Sequence, residues 1–236
     1  MIQSGPRIEA VAAARPAAIT VYVGCRTSRE RNARGEGISV YRMDVATGAW
    51  TLVQVLTGIV NPSFLALDKA QRTLFACEGD GSHVSSFRIE GGSGRLSPIN
   101  RQDAQGRNGV HLTPDPSGRF MLVSNYATGT LAALPISPDG ALGPVVDLYR
   151  FSGELGPHKT QQAGHYPHHN PYDPSSRFLV VPDKGGDQVC IVRFDAESGR
   201  FARAQPPASK TRPGAGPRHI AFHPSKPFAY LANELD

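Results

Sequence analysis

The stretch PHHNPYDPSSRFLVVPDKG, residues 167–185, contains a pattern that occurs four times in this chain. It starts as an extended run, passes through a turn of the type x-P-S-x, and ends in a hydrophobic run. The three other copies are NPSFLALDKAQRTLFACEG (61–79), GVHLTPDPSGRFMLVSNY (109–126) and GPRHIAFHPSKPFAYLANE (216–234). The aligned turn positions are Lys69, Pro116, Pro174 and Pro224. The units are therefore spaced by 47, 58 and 50 residues, and a period near 50 is typical of repeat architectures.

Further strand-like runs lie between the four copies, and each is followed by a turn that contains glycine. They are HVSSFRIE (83–90), GTLAALPI (129–136) and DQVCIVRFD (187–195). The front of the chain adds ITVYVG (19–24), GISVYRMD (37–44) and WTLVQVL (50–56). Four short strands per unit without an amphipathic helix predict an all-β fold, a β-propeller of four-stranded antiparallel blades. The count is 17 strands, with NPYDP and AFHP in innermost strands.

Length and composition agree with one such domain. The chain has 236 residues, 25 of them glycine and 20 proline, spread along its length. Residues 1–17 are interpreted as a flexible extension and residues 18–236 as an incomplete propeller of about four and a half blades. The last unit stops after its second strand, so we expect a fragment with an open sheet edge that is prone to aggregation.

Several functional classes are disfavoured by composition. The first 34 residues hold six arginines and two glutamates, so they carry +4 of the formal net charge of +5. The nearly neutral remainder has no basic surface for nucleic acid. No apolar run is long enough to span a membrane. Glu9 and Arg15 interrupt the opening apolar stretch, so a cytoplasmic location is expected.

The repeat also predicts where a binding site lies. In a propeller, residues just before the first strand and just after the second strand of every blade surround one end of the central channel. Six residues before the shared turn stand Ser63, Val110, His168 and Arg218. Ten residues after it stand Gly79, Tyr126, Lys184 and Glu234. The last two units thus bring an imidazole, two cations and a carboxylate to one site, which suits acid/base chemistry on an anionic substrate.

The first unit, YVGCRTSRERNARGEGISVYRMDVATGAW, together with the later copies, resembles the seven-bladed lactonase family over about residues 19–236. This family includes propeller-type 6-phosphogluconolactonases and carboxymuconate cyclases. Many members carry a further histidine two residues before His168, where this chain has Tyr166. The resemblance implies a catalytic histidine, arginine and glutamate, which match His168, Arg218 and Glu234. It implies seven blades in full-length relatives.

The leading hypothesis is therefore a lactonase similar to 6-phosphogluconolactonase that acts on a small anionic lactone without a cofactor. His168 would be the general base, Arg218 would hold negative charge, and Glu234 would orient groups or relay a proton. Lys184 would bind a substrate phosphate, and Tyr126 would contact the substrate. A carboxymuconate-type cyclase and a non-catalytic binding platform are the alternatives, and the oligomeric state is left open.

Other reaction types receive less support. The cluster of His165, His168 and His169 suggests a metal, but it lies on an extended segment, where neighbouring side chains point to opposite sides. Asp183 and Asp187 flank two glycines, and a plain turn is favoured over a calcium loop. The three cysteines are far apart and form no CxxC pair. No G-x-S-x-G sequence marks a serine nucleophile.

Overall fold

The computed structural model describes residues 16–236, which form five antiparallel sheets. Most of the extension predicted for residues 1–17 lies outside the described residues. The first sheet holds β1 (Ala18–Gly24), β2 (Ile38–Asp44) and β3 (Trp50–Leu56). The second holds β4 (Pro62–Leu67), β5 (Thr73–Glu78), β6 (His83–Ile89) and β7 (Leu96–Asp103). The third holds β8 (Gly109–Pro114), β9 (Phe120–Asn125), β10 (Thr130–Pro135) and β11 (Asp147–Arg150).

The last two sheets complete the described part of the chain. The fourth holds β12 (Leu179–Asp183), β13 (Gln188–Asp195) and β14 (Arg200–Lys210), and the fifth holds β15 (Pro217–Phe222) and β16 (Ala229–Asn233). The only helical segments among residues 16–236 are three 3-10 turns, at Arg29–Arg31, Tyr126–Thr128 and Lys184–Gly186. No helix in this range is long and apolar enough to cross a membrane. The all-β architecture predicted from the repeat is confirmed.

The sheets pack face to face, because successive side chains of each strand point to opposite faces. Met121 and Val123 of β9 pack with Phe75 of the second sheet, whereas Leu122 between them packs with Leu179 of the fourth. The second sheet repeats the pattern on its other face, where it meets the first sheet. Each fully buried side chain of this kind contributes about 1.5–3 kcal/mol. A sheet buried on both faces between two neighbours is the layout of a propeller blade.

One turn motif recurs at the aligned turn of all four copies of the pattern. Asp68, Asp115 and Asp173 each accept hydrogen bonds from backbone N–H groups two to five residues further along the chain. In the last unit His223 replaces the aspartate, and its Nδ1 accepts from the N–H groups of Ser225 and Lys226 at 3.1 and 3.0 Å. Side chains that bond to the backbone two or more residues on stabilise such turns. This explains why the turn is the best-aligned part of the repeat.

A β-bulge recurs at the start of the first strand in three units. The pairing register shifts between Pro62 and Phe64, between Gly109 and His111, and between Pro217 and His219. The extra residues are Ser63, Val110 and Arg218. A bulge redirects the side chain of the extra residue and often lies beside a functional site.

The fourth unit departs from the predicted strand pattern. The segment containing NPYDP was expected to form an innermost strand, but it contacts β12 through only two isolated bridges, Pro167–Asp183 and Tyr172–Leu179. The prediction of a regular strand here is wrong, and 16 strands are present in residues 16–236 instead of the 17 expected. The physical reason is that Pro167 and Pro171 have no N–H to donate to a ladder. The segment still follows the expected path, since the N–H of Val180 donates to the Pro171 carbonyl at 2.9 Å.

Candidate functional site

One backbone hydrogen bond, repeated in four units, fixes the end of the channel that we call the mouth. The residue after the second strand of the repeat donates its N–H to the carbonyl of the residue eight positions before the shared turn position. The four bonds are Gly79 to Asn61 at 2.9 Å, Tyr126 to Asn108 at 3.0 Å, Lys184 to Tyr166 at 3.2 Å, and Glu234 to Gly216 at 2.8 Å. The residues selected by repeat register therefore hold equivalent backbone positions in the structure.

Glu234 connects two cations at the mouth. Its Oε2 forms an ion pair with the Arg218 guanidinium, and its Oε1 accepts a hydrogen bond from Lys184 Nζ at 2.9 Å. Burial opposes the negative charge, but the hydrogen bonds from Lys184 and Arg218 outweigh it, so the pKa of Glu234 lies below its ordinary value. Glu234 is thus a fixed carboxylate with both oxygens engaged.

Lys184 lies behind this carboxylate, and its side chain is only 2% exposed. Besides Glu234, its Nζ donates to Gln161 Oε1 at 2.7 Å and to the Tyr126 hydroxyl at 3.3 Å. Burial opposes the positive charge, but the hydrogen bonds to Glu234 and Tyr126 outweigh it and raise the pKa of Lys184. All three N–H bonds of the ammonium point at protein oxygens. The predicted contact with a substrate phosphate would require one of them to break.

His168 lies beside this group and contacts two rings. Its Nδ1 is 3.1 Å from Nε2 of His219, and its ring meets the Tyr126 ring edge to face with centroids 5.5 Å apart. Tyr126 in turn stacks on Tyr166 at 4.7 Å. Burial, the positive charge of Arg218 and the neighbouring His219 lower the pKa of His168 to about 4. The imidazole is therefore neutral at pH 7 and has a lone pair that can accept a proton.

The five residues predicted for the site are thus linked in the structure. Contacts run from Arg218 through Glu234 and Lys184 to Tyr126, and from Tyr126 to His168. Arg218 remains 42% exposed, so its guanidinium is accessible from the mouth. Together they provide a neutral base, a fixed carboxylate and an accessible cation.

Sequence reasoning named His169 only in a possible metal cluster and missed the layer of histidines to which it belongs, which we call the imidazole row: His111, His169 and His219. Neighbouring rings of the row lie 4.2 and 5.2 Å apart, and Phe64 continues it at 4.3 Å from His111. All four residues stand one position after the residues selected before each turn, so the same register could have found them. Burial, with the neighbouring histidines, lowers the pKa of His111 to about 3 and that of His169 to about 4.

Two buried aspartates hold the backbone around Lys184. Asp183 accepts from the N–H of Tyr166 at 2.8 Å and of Gly185 at 3.2 Å, and His165 Nδ1 lies 2.7 Å from its second oxygen. The hydrogen bond to Asp183 raises the pKa of His165. His165 is therefore paired with Asp183 and helps to hold the backbone of the site.

Asp187 likewise holds the backbone of the segment that leads to β15. Its carboxylate accepts from the N–H groups of Gly214 and Gly216 at 2.7 and 2.9 Å and from Gln162 Nε2 at 2.7 Å. These bonds anchor the loop that leads to Arg218. Among residues 16–236, no group of three or more His, Cys, Asp or Glu side chains is arranged to hold a metal ion.

The blades and the mouth define a class: a β-propeller with a neutral histidine, a carboxylate and cations gathered at one end of its channel. Residues 20–236 match the family model described as "Lactonase, 7-bladed beta-propeller". The chain belongs to this lactonase family.

Named relatives agree with this assignment. The chain is 31% identical to 6-phosphogluconolactonase of Bacillus subtilis over 221 residues, which are 91% of this chain and 59% of the relative. It is 30% identical to 6-phosphogluconolactonase of Formosa agariphila, covering 91% of this chain and 61% of the relative. The solved structure of a periplasmic gluconolactonase from Pseudomonas aeruginosa superimposes with a TM-score of 0.84 at 31% identity, covering 92% of this chain and 62% of that one. The chain therefore spans about three fifths of the length of these relatives.

Proposed function

We propose that this protein hydrolyses a sugar lactone that carries an anionic group, with 6-phosphogluconolactone as the first candidate. The observation that carries the proposal is the neutral His168 beside the Arg218–Glu234 ion pair, in which the Arg218 side chain is 42% exposed. Ester hydrolysis requires a base for water and a cation or donor for the oxyanion. The two curated relatives named above are both called 6-phosphogluconolactonase, which supports the choice of substrate.

In this mechanism His168 removes a proton from a water molecule as the water oxygen bonds to the lactone carbonyl carbon. The carbonyl oxygen becomes an oxyanion, and Arg218 stabilises its charge. The ring C–O bond then breaks, and the protonated His168 returns its proton to the leaving alkoxide. The products are the free carboxylic acid and the ring hydroxyl, and His168 is neutral again.

The other two mouth residues support this reaction from the side. Glu234 is held as a carboxylate and orients the Arg218 guanidinium, since the two form an ion pair. Tyr126 supplies an aromatic wall, stacked on Tyr166 and next to His168. A flat ring of this kind suits the face of a sugar.

The test is a continuous hydrolysis assay of 6-phosphogluconolactone, corrected for spontaneous opening. We expect activity in the wild-type protein and a loss of about 10²–10⁴-fold in His168→Gln, the usual contribution of a general base. Ser63→Ala is the matched control, because Ser63 holds the equivalent position in another unit, and it should keep wild-type activity.

Two results would overturn the proposal. Wild-type protein that only binds the lactone would favour a binding platform, and activity on a muconolactone alone would favour the cyclase. Equal activity of His168→Gln and wild type would remove His168 from the mechanism.

The cytoplasmic location stays a prediction, and cell fractionation tests it. The Pseudomonas relative is named a periplasmic protein.

A further inference from the structure

The cation most deeply enclosed at the mouth is Lys184, and its surroundings differ from those of a ligand-binding lysine. The side chain is 2% exposed, whereas Arg218 beside it is 42% exposed. A lysine that binds a phosphate from solvent needs free N–H bonds directed at the opening. Here the three N–H bonds are taken by Glu234, Gln161 and the Tyr126 hydroxyl.

The position of Lys184 is itself fixed by its neighbours. It begins a 3-10 turn whose preceding residue, Asp183, accepts the N–H of Gly185. The carbonyl of Lys184 accepts from Gln162 Nε2 at 2.9 Å, and the adjacent Gln161 contacts its ammonium. The loop that precedes the fourth unit therefore holds this lysine at both its backbone and its side chain.

We propose that Lys184 is a positioning residue that keeps Glu234 ionised and directed at Arg218, and that it does not bind the substrate. This inference rests on the proposed lactonase function. The carboxylate divides its oxygens, one for Lys184 and one for Arg218, so loss of Lys184 frees Glu234 to rotate. Arg218 then loses its fixed partner, and the group that stabilises the oxyanion is no longer held in place.

The alternative role, a direct contact with the substrate phosphate, makes a different prediction. A phosphate ligand affects only the phosphorylated substrate and acts mainly on KM. A positioning residue affects the transition state of every lactone and acts mainly on kcat. The same lactone with and without its phosphate therefore separates the two roles.

The first experiment measures kcat and KM of wild type and Lys184→Met on both lactones. We expect kcat to fall about tenfold or more on each, with the ratio of kcat/KM between the two lactones unchanged. Lys184→Arg keeps a cation beside Glu234 and should recover part of the loss. A loss confined to the phosphorylated lactone, or no loss on either, would refute the positioning role.

The second experiment does not depend on activity. The pKa of Glu234 is measured by 13C NMR of labelled glutamate, with Glu234→Gln to assign the signal. We expect it to rise by about one unit in Lys184→Met, because one of two cationic partners is gone, and to stay low in Lys184→Arg. An unchanged pKa in Lys184→Met would refute the proposal.

These readouts separate the two proposals. An inactive wild-type protein whose Glu234 pKa still rises in Lys184→Met would overturn the lactonase function and leave the Lys184–Glu234 coupling in place. Lys184→Gln keeps a polar group beside Gln161 and provides the same test if Lys184→Met does not fold.

Discussion

The second and fifth sheets present the same backbone at the mouth but different chemistry. Both have a bulge at the start of the first strand and the same backbone hydrogen bond after the second strand. In the second sheet these positions hold Ser63 and Gly79, and in the fifth they hold Arg218 and Glu234. The repeat thus supplies equivalent backbone positions, and the sequence decides which side chain each blade presents there.

Packing explains why the second sheet carries small residues at this end. A Cβ atom on Gly79 would lie 2.9 Å from both Cβ and Oγ of Ser63, and the Ser63 hydroxyl donates to the Gly109 carbonyl at 3.0 Å. The small residues at these positions let β4 and the end of β5 approach closely. The Ser63 hydrogen bond ties the second sheet to the third. In the fifth sheet the same space is occupied by an ion pair.

The largest effect is expected when Arg218 of the fifth sheet is replaced by the residue at the equivalent position of the third sheet. Arg218→Val copies Val110 of the third sheet and should lower kcat/KM for lactone hydrolysis by about 10²–10³-fold, the cost of losing one oxyanion-stabilising group. It should also raise the pKa of His168, because the charge of Arg218 helps to lower it. Steady-state kinetics and the 1H NMR titration of His168 measure the two effects.

Val110→Ala is the control for this variant and should leave the rate unchanged. If Arg218→Val kept its activity, the contrast between the sheets would concern packing alone.

The next effect concerns the closed side of the mouth. Gly79→Ala should destabilise the protein by about 1–3 kcal/mol, since the added methyl group overlaps Ser63. Ser63→Gly in the same chain should restore part of the loss. Urea unfolding measures both variants.

The matched control is Gly91→Ala, where a Cβ meets no atom within 4 Å and φ is ordinary. It should be neutral or slightly stabilising. Equal effects at Gly79 and Gly91 would show that close approach is not the reason for glycine at the mouth.

The third prediction concerns His111, which stands in the third sheet where the second sheet has Phe64. The pKa of His111 is lowered from 6.5 to about 3 by burial, so the unfolded chain binds more protons between these values. The contribution of His111 to the free energy of unfolding should therefore be fully present above about pH 6.5. It should fall with acidification by up to about 1.4 kcal/mol per pH unit.

His111→Gln does not titrate and should flatten that part of the slope. Chemical unfolding at a series of pH values from 7 to 4 measures it. A slope identical in wild type and variant would mean that other groups cause the acid sensitivity.

The smallest effect is expected at Tyr126, the mouth residue of the third sheet. Tyr126→Phe keeps the ring against Tyr166 and His168 but removes the hydroxyl that accepts from Lys184 at 3.3 Å. Because only this one long hydrogen bond is lost, kcat should change by about threefold. A change of the size expected for Arg218→Val would instead assign the hydroxyl a direct part in the reaction.

Much of the fold could be predicted because the information is local. The turn aspartates, the alternation of the strands and the 50-residue period all lie within single units, and they predicted five sheets in the correct order. The innermost segment of the fourth unit was wrongly predicted as a regular strand, because its extended pattern suggests a strand while its prolines remove the N–H donors that a ladder needs. The site positions were predictable for the same reason, since the repeat register carries over from one blade to the next.

The sequence by itself determined which positions face the mouth and which chemical groups stand there. The tertiary structure decided what those groups do to one another. Lys184 is separated by 50 residues from Glu234, in the next blade, and by 23 from Gln161, in the loop before its own blade, and only the folded chain makes them partners. Burial and the charge of Arg218 at that junction lower the pKa of His168 to about 4, whereas against the effect of burial the hydrogen bonds to Glu234 and Tyr126 raise the pKa of Lys184. Solvent exposure and contacts between distant residues depend on how blades assemble, and no local pattern in the chain specifies them.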